Sequence, residues 1–397
     1  MEWTPTPGEP ALADVAFTPT AFAGAGAMFV VFGAVASLYG PLLVTWAHHF
    51  DVSLPTAGVV LSVHFAGAFI GVPLGWAAMR RWHGQAVLAA ALVTLALGAA
   101  AAGVARTFAE LLAGVFVIGL GFGALDFLLN SLLVRTAETR RARRLSVANA
   151  GYGVGSVIGP LLIIVARPAH YPLLLAAVAV GAVSLTASTR GVSAPPLTPE
   201  HRRTLHPRRR AVLATFVVAY VLYVATEASL TGWIAPQLHR VGFSQTVGAT
   251  ATAGFWLGLA IGRFLAGPAH RRFSEQWLVL GGLALTALVC LVARSDALAP
   301  YVYPLAGVFM ALVYPMGLIW YTRLAPGDAD GLAFIILVMM LGGVMGPAVT
   351  SALVSSAGVH VVPFCVVTFC LADLAVFLSA RRLGHGRYPS TDVAAQA

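Results

Sequence analysis

The chain has 397 residues, of which 59% are hydrophobic and 10% are charged, and its mean hydropathy is +0.85. Soluble globular domains carry about 25% charged residues, so this composition excludes a soluble protein and indicates an integral membrane protein. The net charge of +9 does not indicate a nucleic-acid partner. The basic residues are all arginine and lie mostly in short loops between apolar runs, where they orient a chain in the bilayer.

The chain begins with a polar, proline-rich stretch, residues 1–20, which lacks the basic and then apolar order of a signal peptide. We expect this stretch to be a cytoplasmic tail, and we expect the same of residues 383–397. The cysteines Cys290, Cys365 and Cys370 lie inside apolar runs without metal-type spacing, which predicts buried thiols.

Twelve apolar runs follow the first tail, each near the roughly 20 residues that a spanning helix needs. The polar segment 190–210 divides them into a predicted N-terminal six-helix bundle, 21–189, and a C-terminal one, 211–382. The predicted fold class is therefore an all-α integral membrane protein with twelve transmembrane helices in two six-helix pseudo-repeats. The predicted spans are 22–47, 56–79, 86–105, 109–134, 146–166, 171–189, 211–238, 248–268, 276–294, 300–323, 331–356 and 360–380.

The arginines are unevenly shared between the two membrane faces. Even-numbered loops and the C-terminal tail hold 19 of them, and the odd-numbered loops hold four: Arg106, Arg167, Arg240 and Arg294. We call the face with these four the arginine-poor face. The positive-inside rule places the arginine-rich face and both termini in the cytoplasm. We expect a multi-pass protein of the plasma (inner) membrane, and the even number of spans agrees with that orientation.

The two halves share sequence motifs at constant offsets. HFAGAFIGVPLGWAAMRRW aligns with FWLGLAIGRFLAGPAHRRF at an offset of 191, which pairs Gly67 with Gly258. GSVIGP, from Gly155, aligns with GGVMGP, from Gly342, at an offset of 187. This layout is similar to that of the major facilitator superfamily, whose halves rock about a site near the bilayer midplane.

Several ionisable side chains lie inside predicted spans, where an acid at the helix centre costs about 2.5–3.5 kcal/mol. A carboxyl group in a low-dielectric cavity can exchange protons, so we predict proton coupling at Asp126 and Glu227, with a buried ion pair or helix cap as the alternative. Arg263 is predicted to form a gating or structural ion pair. We expect His64 to be a packing residue rather than part of a proton relay, and we assign no function to Asp373 in the last span.

Amide and aromatic side chains are predicted to line a substrate cavity, since sugar hydroxyls need hydrogen-bonding partners and pyranose faces are apolar. Trp233 and Gln237 follow Glu227 by six and ten residues and are expected to share its helix face. An offset of 188 makes Tyr314 the counterpart of Asp126. For each aromatic residue, helix packing or an interfacial belt is the alternative. The predicted lining residues are Tyr39, Asn130, Asn149, Tyr152, Trp233, Gln237, Trp256 and Tyr314.

Four segments resemble the fucose-permease-like branch of the major facilitator superfamily, which includes proton-coupled sugar symporters. The fourth span contains GLGFGALDFLLN, in which Asn130 follows Asp126 by four residues, and the fifth span begins RRLSVANAGYGVGSVIGP. The seventh and eighth spans match E-x-S-x-x-x-W from Glu227 and F-W-x-G-x-x-x-G-R ending at Arg263. The resemblance implies an alternating-access transporter in which Asp126 matches the acid tied to proton coupling.

Two features depart from that branch. The first span, at SLYGPLL, lacks the further acid of the fucose permease, which weakens L-fucose as the expected substrate. The loop MRRWHGQ keeps Arg80 and Arg81 without the usual aspartate, so the gating ion pair expected there is altered.

We therefore expect proton-coupled uptake of a sugar or similar small polar solute. The alternatives are a drug/proton antiporter of the same superfamily, an uncoupled facilitator, and a carrier of lipid or metal. An enzyme is disfavoured because the loops are short and lack catalytic motifs, and a channel because duplicated halves suit rocking. The expected partners are a small-molecule substrate and the bilayer, with a functional monomer, no metal, and the proton in place of a cofactor.

Overall fold

The computed structural model describes residues 15–136, 138–196 and 207–384, and almost all of them are helical. Eleven helical segments are long and apolar enough to cross a membrane, and Ala150–Ala166 forms a shorter apolar one, so the predicted twelve-span fold is confirmed. The helices are α1 Pro19–His49, α2 Leu54–Met79, α3 Gly84–Gly103, α4 Phe108–Val134, α5 Glu138–Ala166, α6 Tyr171–Thr189, α7 Pro207–Arg240, α8 Gln245–His270, α9 Glu275–Val292, α10 Ala299–Met310, α11 Val313–Leu324, α12 Ala329–Val338, α13 Met340–Ala357 and α14 Val362–Gly384, with short 3₁₀ turns at Pro168–His170 and Val359–Val361.

The tenth and eleventh spans are each made of two helices, where the sequence predicted continuous runs. The tenth is interrupted between α10 and α11. Pro315 has no N–H to donate to the carbonyl of Ala311, which weakens the helix at that point. The eleventh is interrupted at Met339, whose carbonyl accepts from Gly342 N at 2.8 Å, a tighter turn than that of an α-helix.

A short antiparallel ladder joins the segment before α1 to the segment after α6. It consists of β1, Ala16–Phe17, and β2, Val192–Ser193. The helix α1 then begins at Pro19, because the Thr18 hydroxyl accepts from Ala21 N at 3.2 Å and proline suits the first helical position. Since α7 begins at Pro207, both helices start earlier than the sequence predicted.

Each half has a hydrophobic core of its own, one built from α1–α6 and the other from α7–α14. The same neighbours recur in both: α1 packs on α5 as α7 packs on α13, and α2 packs on α4 as α8 packs on α10. The halves meet mainly where α2 contacts α13, α5 contacts α8 and α1 contacts α7.

The glycines of the internal repeat make equivalent contacts in the two halves. A Cβ atom on Gly67 would meet the carbonyl oxygen of Phe116 in α4, and one on Gly258 would meet that of Pro304 in α10. Small residues allow such close backbone approach between membrane helices. The sequence repeat therefore corresponds to the same close helix crossing in each half, α2 with α4 and α8 with α10. The second pair of repeated glycines makes the same kind of contact: Gly155 lies against the carbonyl oxygen of Val30, and Gly342 lies against that of Val221.

Substituting Gly258 with alanine should destabilise the C-terminal half, because the added methyl group would contact a backbone oxygen that cannot rotate away. Overpacking of this kind costs about 1–3 kcal/mol, and we expect the unfolding temperature in detergent to fall by about 2–6 °C. Gly267→Ala in the same helix is the control, since nothing lies within 4 Å of a Cβ at that position. An equal fall in both variants would contradict a packing role for Gly258.

The two halves touch closely at the arginine-poor face. Gly40 of α1 lies against the backbone of Thr231 and Gly232 in α7, and Gly58 of α2 lies against Trp233. Leu54 packs into a buried cluster around Trp233, formed with Val354, Val359 and Val362. This end of the interface is closed in the structure.

Candidate functional site

Each half contributes one carboxyl group that is only half-buried, although both helices are apolar. Asp126 lies on α4 and Glu227 lies on α7. The Asn130 amide donates to Asp126 Oδ1 at 2.8 Å and to the Asp126 carbonyl at 2.9 Å. Asn130 follows Asp126 by four residues, and this spacing brings the two side chains into contact, as the sequence predicted. The Asn130 amide holds the Asp126 carboxyl group in a fixed orientation.

Glu227 is held by a tyrosine and faces a cation. Tyr223 donates its hydroxyl to Glu227 Oε2 at 2.8 Å. Arg263 interacts electrostatically with Glu227, yet no ion pair within 4 Å joins the two among the described residues. The guanidinium carbon of Arg263 lies 6.0 Å from the ring centroid of Tyr314, and its Nε has no hydrogen-bond partner in the part described. Arg263 therefore presents a cation to the space beside Glu227, in place of the ion pair that the sequence predicted.

Two tyrosines connect the groups of the two halves. Tyr152 of α5 and Tyr314 of α11 each lie near Asp126, Glu227 and Arg263. The ring of Tyr152 also meets that of Trp256 edge-on, with 5.9 Å between centroids. The structure therefore gathers residues from α4, α5, α7, α8 and α11 into one cluster, which we call the central site: Asp126, Asn130, Tyr152, Tyr223, Glu227, Trp256, Arg263 and Tyr314.

Tyr223 is a member of the central site that sequence reasoning missed. It lies four residues before Glu227, the same spacing that joins Asp126 to Asn130, so the signal was present in the pattern. Its ring centroid lies 6.0 Å from that of Tyr314. The nearby Tyr220 was missed as well, and its hydroxyl donates to the Tyr314 carbonyl at 2.6 Å, beside the interruption of the tenth span.

Tyr39, predicted to line the cavity, forms a buried pair with His64 instead. The Tyr39 hydroxyl lies 3.0 Å from His64 Nδ1, and the two side chains are 2% and 1% exposed. The His64 ring also meets Phe122 edge-on, with 4.6 Å between centroids. This pair packs α1, α2 and α4 together.

Trp233 and Gln237 do not share the face of Glu227, and the reason lies in the helix period. Six residues advance an α-helix by about 600° and ten by about 1000°, which fall about 120° and 80° short of whole turns. Trp233 is fully buried at the closed arginine-poor end. Gln237 accepts from the Tyr303 hydroxyl at 2.5 Å and donates to the Ala293 carbonyl at 3.4 Å.

The remaining predicted residues lie at the arginine-rich face or outside the described part. Arg80 and Arg81 are exposed at the end of α2, and Arg80 lies 4.9 Å over the Trp76 ring. The side chain of Asn149 lies outside the described residues. The ion pair that the described residues do form joins Arg323 at the end of α11 to the buried Glu275 at the start of α9, at 2.8 Å.

A family model described as Major Facilitator Superfamily matches residues 25–239, more than half of the chain. The chain belongs to the Major Facilitator Superfamily. It is accordingly a multi-pass membrane transporter. The chain is 23% identical over 389 residues to the glucose/galactose transporter of Brucella abortus, covering 88% of this chain and 91% of that protein. It is 26% identical over 259 residues to the class C tetracycline resistance protein of Escherichia coli, covering 60% and 64% respectively.

The fold of this superfamily member also matches solved transporter structures. A bacterial homolog of the human lysosomal transporter Spinster, in its inward-facing and unoccupied conformation, superposes with a TM-score of 0.74 at 14% identity. The match covers 93% of this chain and 98% of that one. The chain thus has the fold of that structure.

Proposed function

We propose that this transporter carries a sugar or a similar small polar solute together with protons, by alternating access. The observation that carries the proposal is the central site itself. In it a carboxyl group from each half, Asp126 and Glu227, lies near the same two tyrosines. Protonation in such a site changes the charge at the point where the two halves face each other.

The remaining side chains of the central site suit a polyhydroxylated solute. Tyr152 offers a half-buried aromatic ring, Arg263 offers N–H donors, and Asn130 Oδ1 offers an acceptor because its amide N–H groups already bind Asp126. The similarity to the glucose/galactose transporter of Brucella abortus supports hexoses as the first solutes to test.

The proposed cycle begins with the arginine-poor end closed, as in the structure. We infer that the half-buried carboxyl groups of Asp126 and Glu227 are then reached from the arginine-rich face, which the charge distribution assigns to the cytoplasm. Protonation of Asp126, with Glu227 as a second acceptor, would neutralise the site and permit reorientation of the loaded carrier. We place the functional monomer in the inner membrane with both termini cytoplasmic.

Drug/proton antiport is the second candidate, favoured by the similarity to the class C tetracycline resistance protein. An antiporter would use the same carboxyl groups, Asp126 and Glu227, but the solute would leave the cell as protons enter. The two candidates differ in which solute exchanges across the membrane and in the sign of its response to a pH gradient.

Entrance counterflow in proteoliposomes tests the proposal. Vesicles preloaded with unlabelled galactose should transiently accumulate labelled galactose, and an acidic outside should drive net uptake without preloading. Counterflow without any response to the pH gradient would contradict proton coupling. Counterflow of tetracycline but not of hexoses, with uptake suppressed by an acidic outside, would favour antiport.

A further inference from the structure

A cavity lies outside the central site, at the arginine-poor face of the C-terminal half. Its volume is about 240 Å³, and it opens between the end of α7, the segment after α9 and the start of α14. Pockets for drug-sized ligands are about 300–1,000 Å³, so this one suits a small group. Its polar and aromatic lining residues are Gln237, Arg240, Arg294, Asp296, His360 and Phe364.

Positive charge is concentrated around this cavity. Arg240 and Arg294 are two of the four arginines of the arginine-poor face, and they come from segments 54 residues apart in the chain. Neither forms an ion pair within 4 Å among the described residues, although Asp296 lines the same cavity. Two guanidinium groups against one carboxylate leave a net positive charge, and His360 adds to it when protonated.

Arg294 is oriented so that its hydrogen-bond donors stay available. Its guanidinium carbon lies 4.6 Å from the centroid of the Phe364 ring, which is a cation–π contact. The N–H groups lie in the plane of the guanidinium and point outward from its edge. The contact uses none of these N–H groups, and the described residues provide no hydrogen bond or ion pair to the Arg294 side chain.

The two arginines are carried by backbone that is already fixed. Gln237 joins the last turns of α7 to the Ala293 carbonyl at the end of α9, at 3.4 Å, and accepts from Tyr303 at 2.5 Å. Arg240 follows Gln237 by three residues, and Arg294 follows Ala293 directly. The polar contacts of Gln237 thereby join the two backbone segments that carry the cations.

We propose that this cavity binds a phosphate group. Forked guanidinium groups match phosphate oxygens in geometry and bind them with charge-assisted hydrogen bonds. The apolar wall of the cavity and its position at a membrane face admit two sources of the same chemistry, the headgroup of an anionic phospholipid and free inorganic phosphate.

The test measures thermal unfolding of the purified full-length transporter in phosphate-free detergent. One arm adds inorganic phosphate, with chloride at equal ionic strength as the reference. The other adds short-chain phosphatidylglycerol, with phosphatidylcholine as the reference. A ligand at 100 times its Kd stabilises the folded state by about 2.7 kcal/mol, so we expect a rise of several degrees in at least one arm.

The variants R240Q and R294Q, combined, should abolish that rise. The matched control combines R106Q with R167Q, the two arginines of the N-terminal half on the same face, and should keep it. Stabilisation by inorganic phosphate identifies a free anion, and stabilisation by phosphatidylglycerol alone identifies a lipid headgroup. No rise in either arm, or an equal rise in the R240Q/R294Q protein, would overturn the proposal. Size-exclusion chromatography of each variant separates loss of binding from loss of folding.

Discussion

Replacing Asp126 with asparagine is expected to abolish proton-driven accumulation of solute while sparing solute exchange. Asparagine preserves the size of the side chain and an oxygen that can accept from the Asn130 amide, but it cannot take up a proton. A pH gradient of about one unit is worth about 1.4 kcal/mol, enough for about tenfold accumulation. The D126N protein should reach no accumulation above equilibrium, whereas its counterflow should continue.

The control for that experiment is Glu110→Gln on the same helix. Glu110 is an exposed carboxyl group near the start of α4, where Glu110 Oε2 accepts from Arg106 N at 2.7 Å, outside the central site. The E110Q protein should accumulate solute as well as the unmodified transporter does. Full pH-driven accumulation by D126N would exclude Asp126 as the coupling residue and transfer the role to Glu227.

Replacing Gly40 with leucine is expected to hold the arginine-poor end open. A side chain there would meet the backbone of Thr231 and Gly232, which cannot yield as a flexible side chain can. The conflict exists only while that end is closed, so it destabilises the closed state by about 1–3 kcal/mol. A bias of 1.4 kcal/mol is a factor of ten in population, and net transport should fall accordingly.

Labelling of a cysteine placed at Leu54 measures that shift. The native thiols are all buried in the structure, so a membrane-impermeant maleimide added at the arginine-poor face should report the new cysteine. We expect labelling about tenfold faster in the G40L background. Gly26→Leu in the same helix, where nothing lies within 4 Å of a Cβ, should leave the rate unchanged. Equal labelling in both backgrounds would show that Gly40 does not control closure.

Hydropathy and arginine placement predicted the twelve spans because the bilayer constrains every helix in the same way. The interruptions of the tenth and eleventh spans were not predicted, since local hydrogen bonding at Ala311 and Met339 leaves hydropathy unchanged. The small ladder of β1 with β2 was not predicted either. Each of its strands has two residues, too few for an alternating pattern to show.

The acids of the central site were identified because a charge in an apolar run is costly and therefore conspicuous. Tyrosines carry no such cost, so Tyr223 did not stand out from the packing aromatics. The placement predicted for Trp233 and Gln237 is wrong because side chains six and ten positions along a helix point about 120° and 80° away from the first one. The convergence of Arg240 and Arg294 on one cavity depends on tertiary packing, which no local pattern reports.

The equivalent glycine contacts of the two halves have a further consequence. The internal repeat duplicates the scaffold but not the chemistry: the counterpart of Arg263 is Val72, and the counterpart of Tyr314 is Asp126. A protein assembled from two copies of either half would reproduce the helix crossings and lack a complete site. The two halves have the same helix crossings but supply different side chains to the central site, so neither half can replace the other.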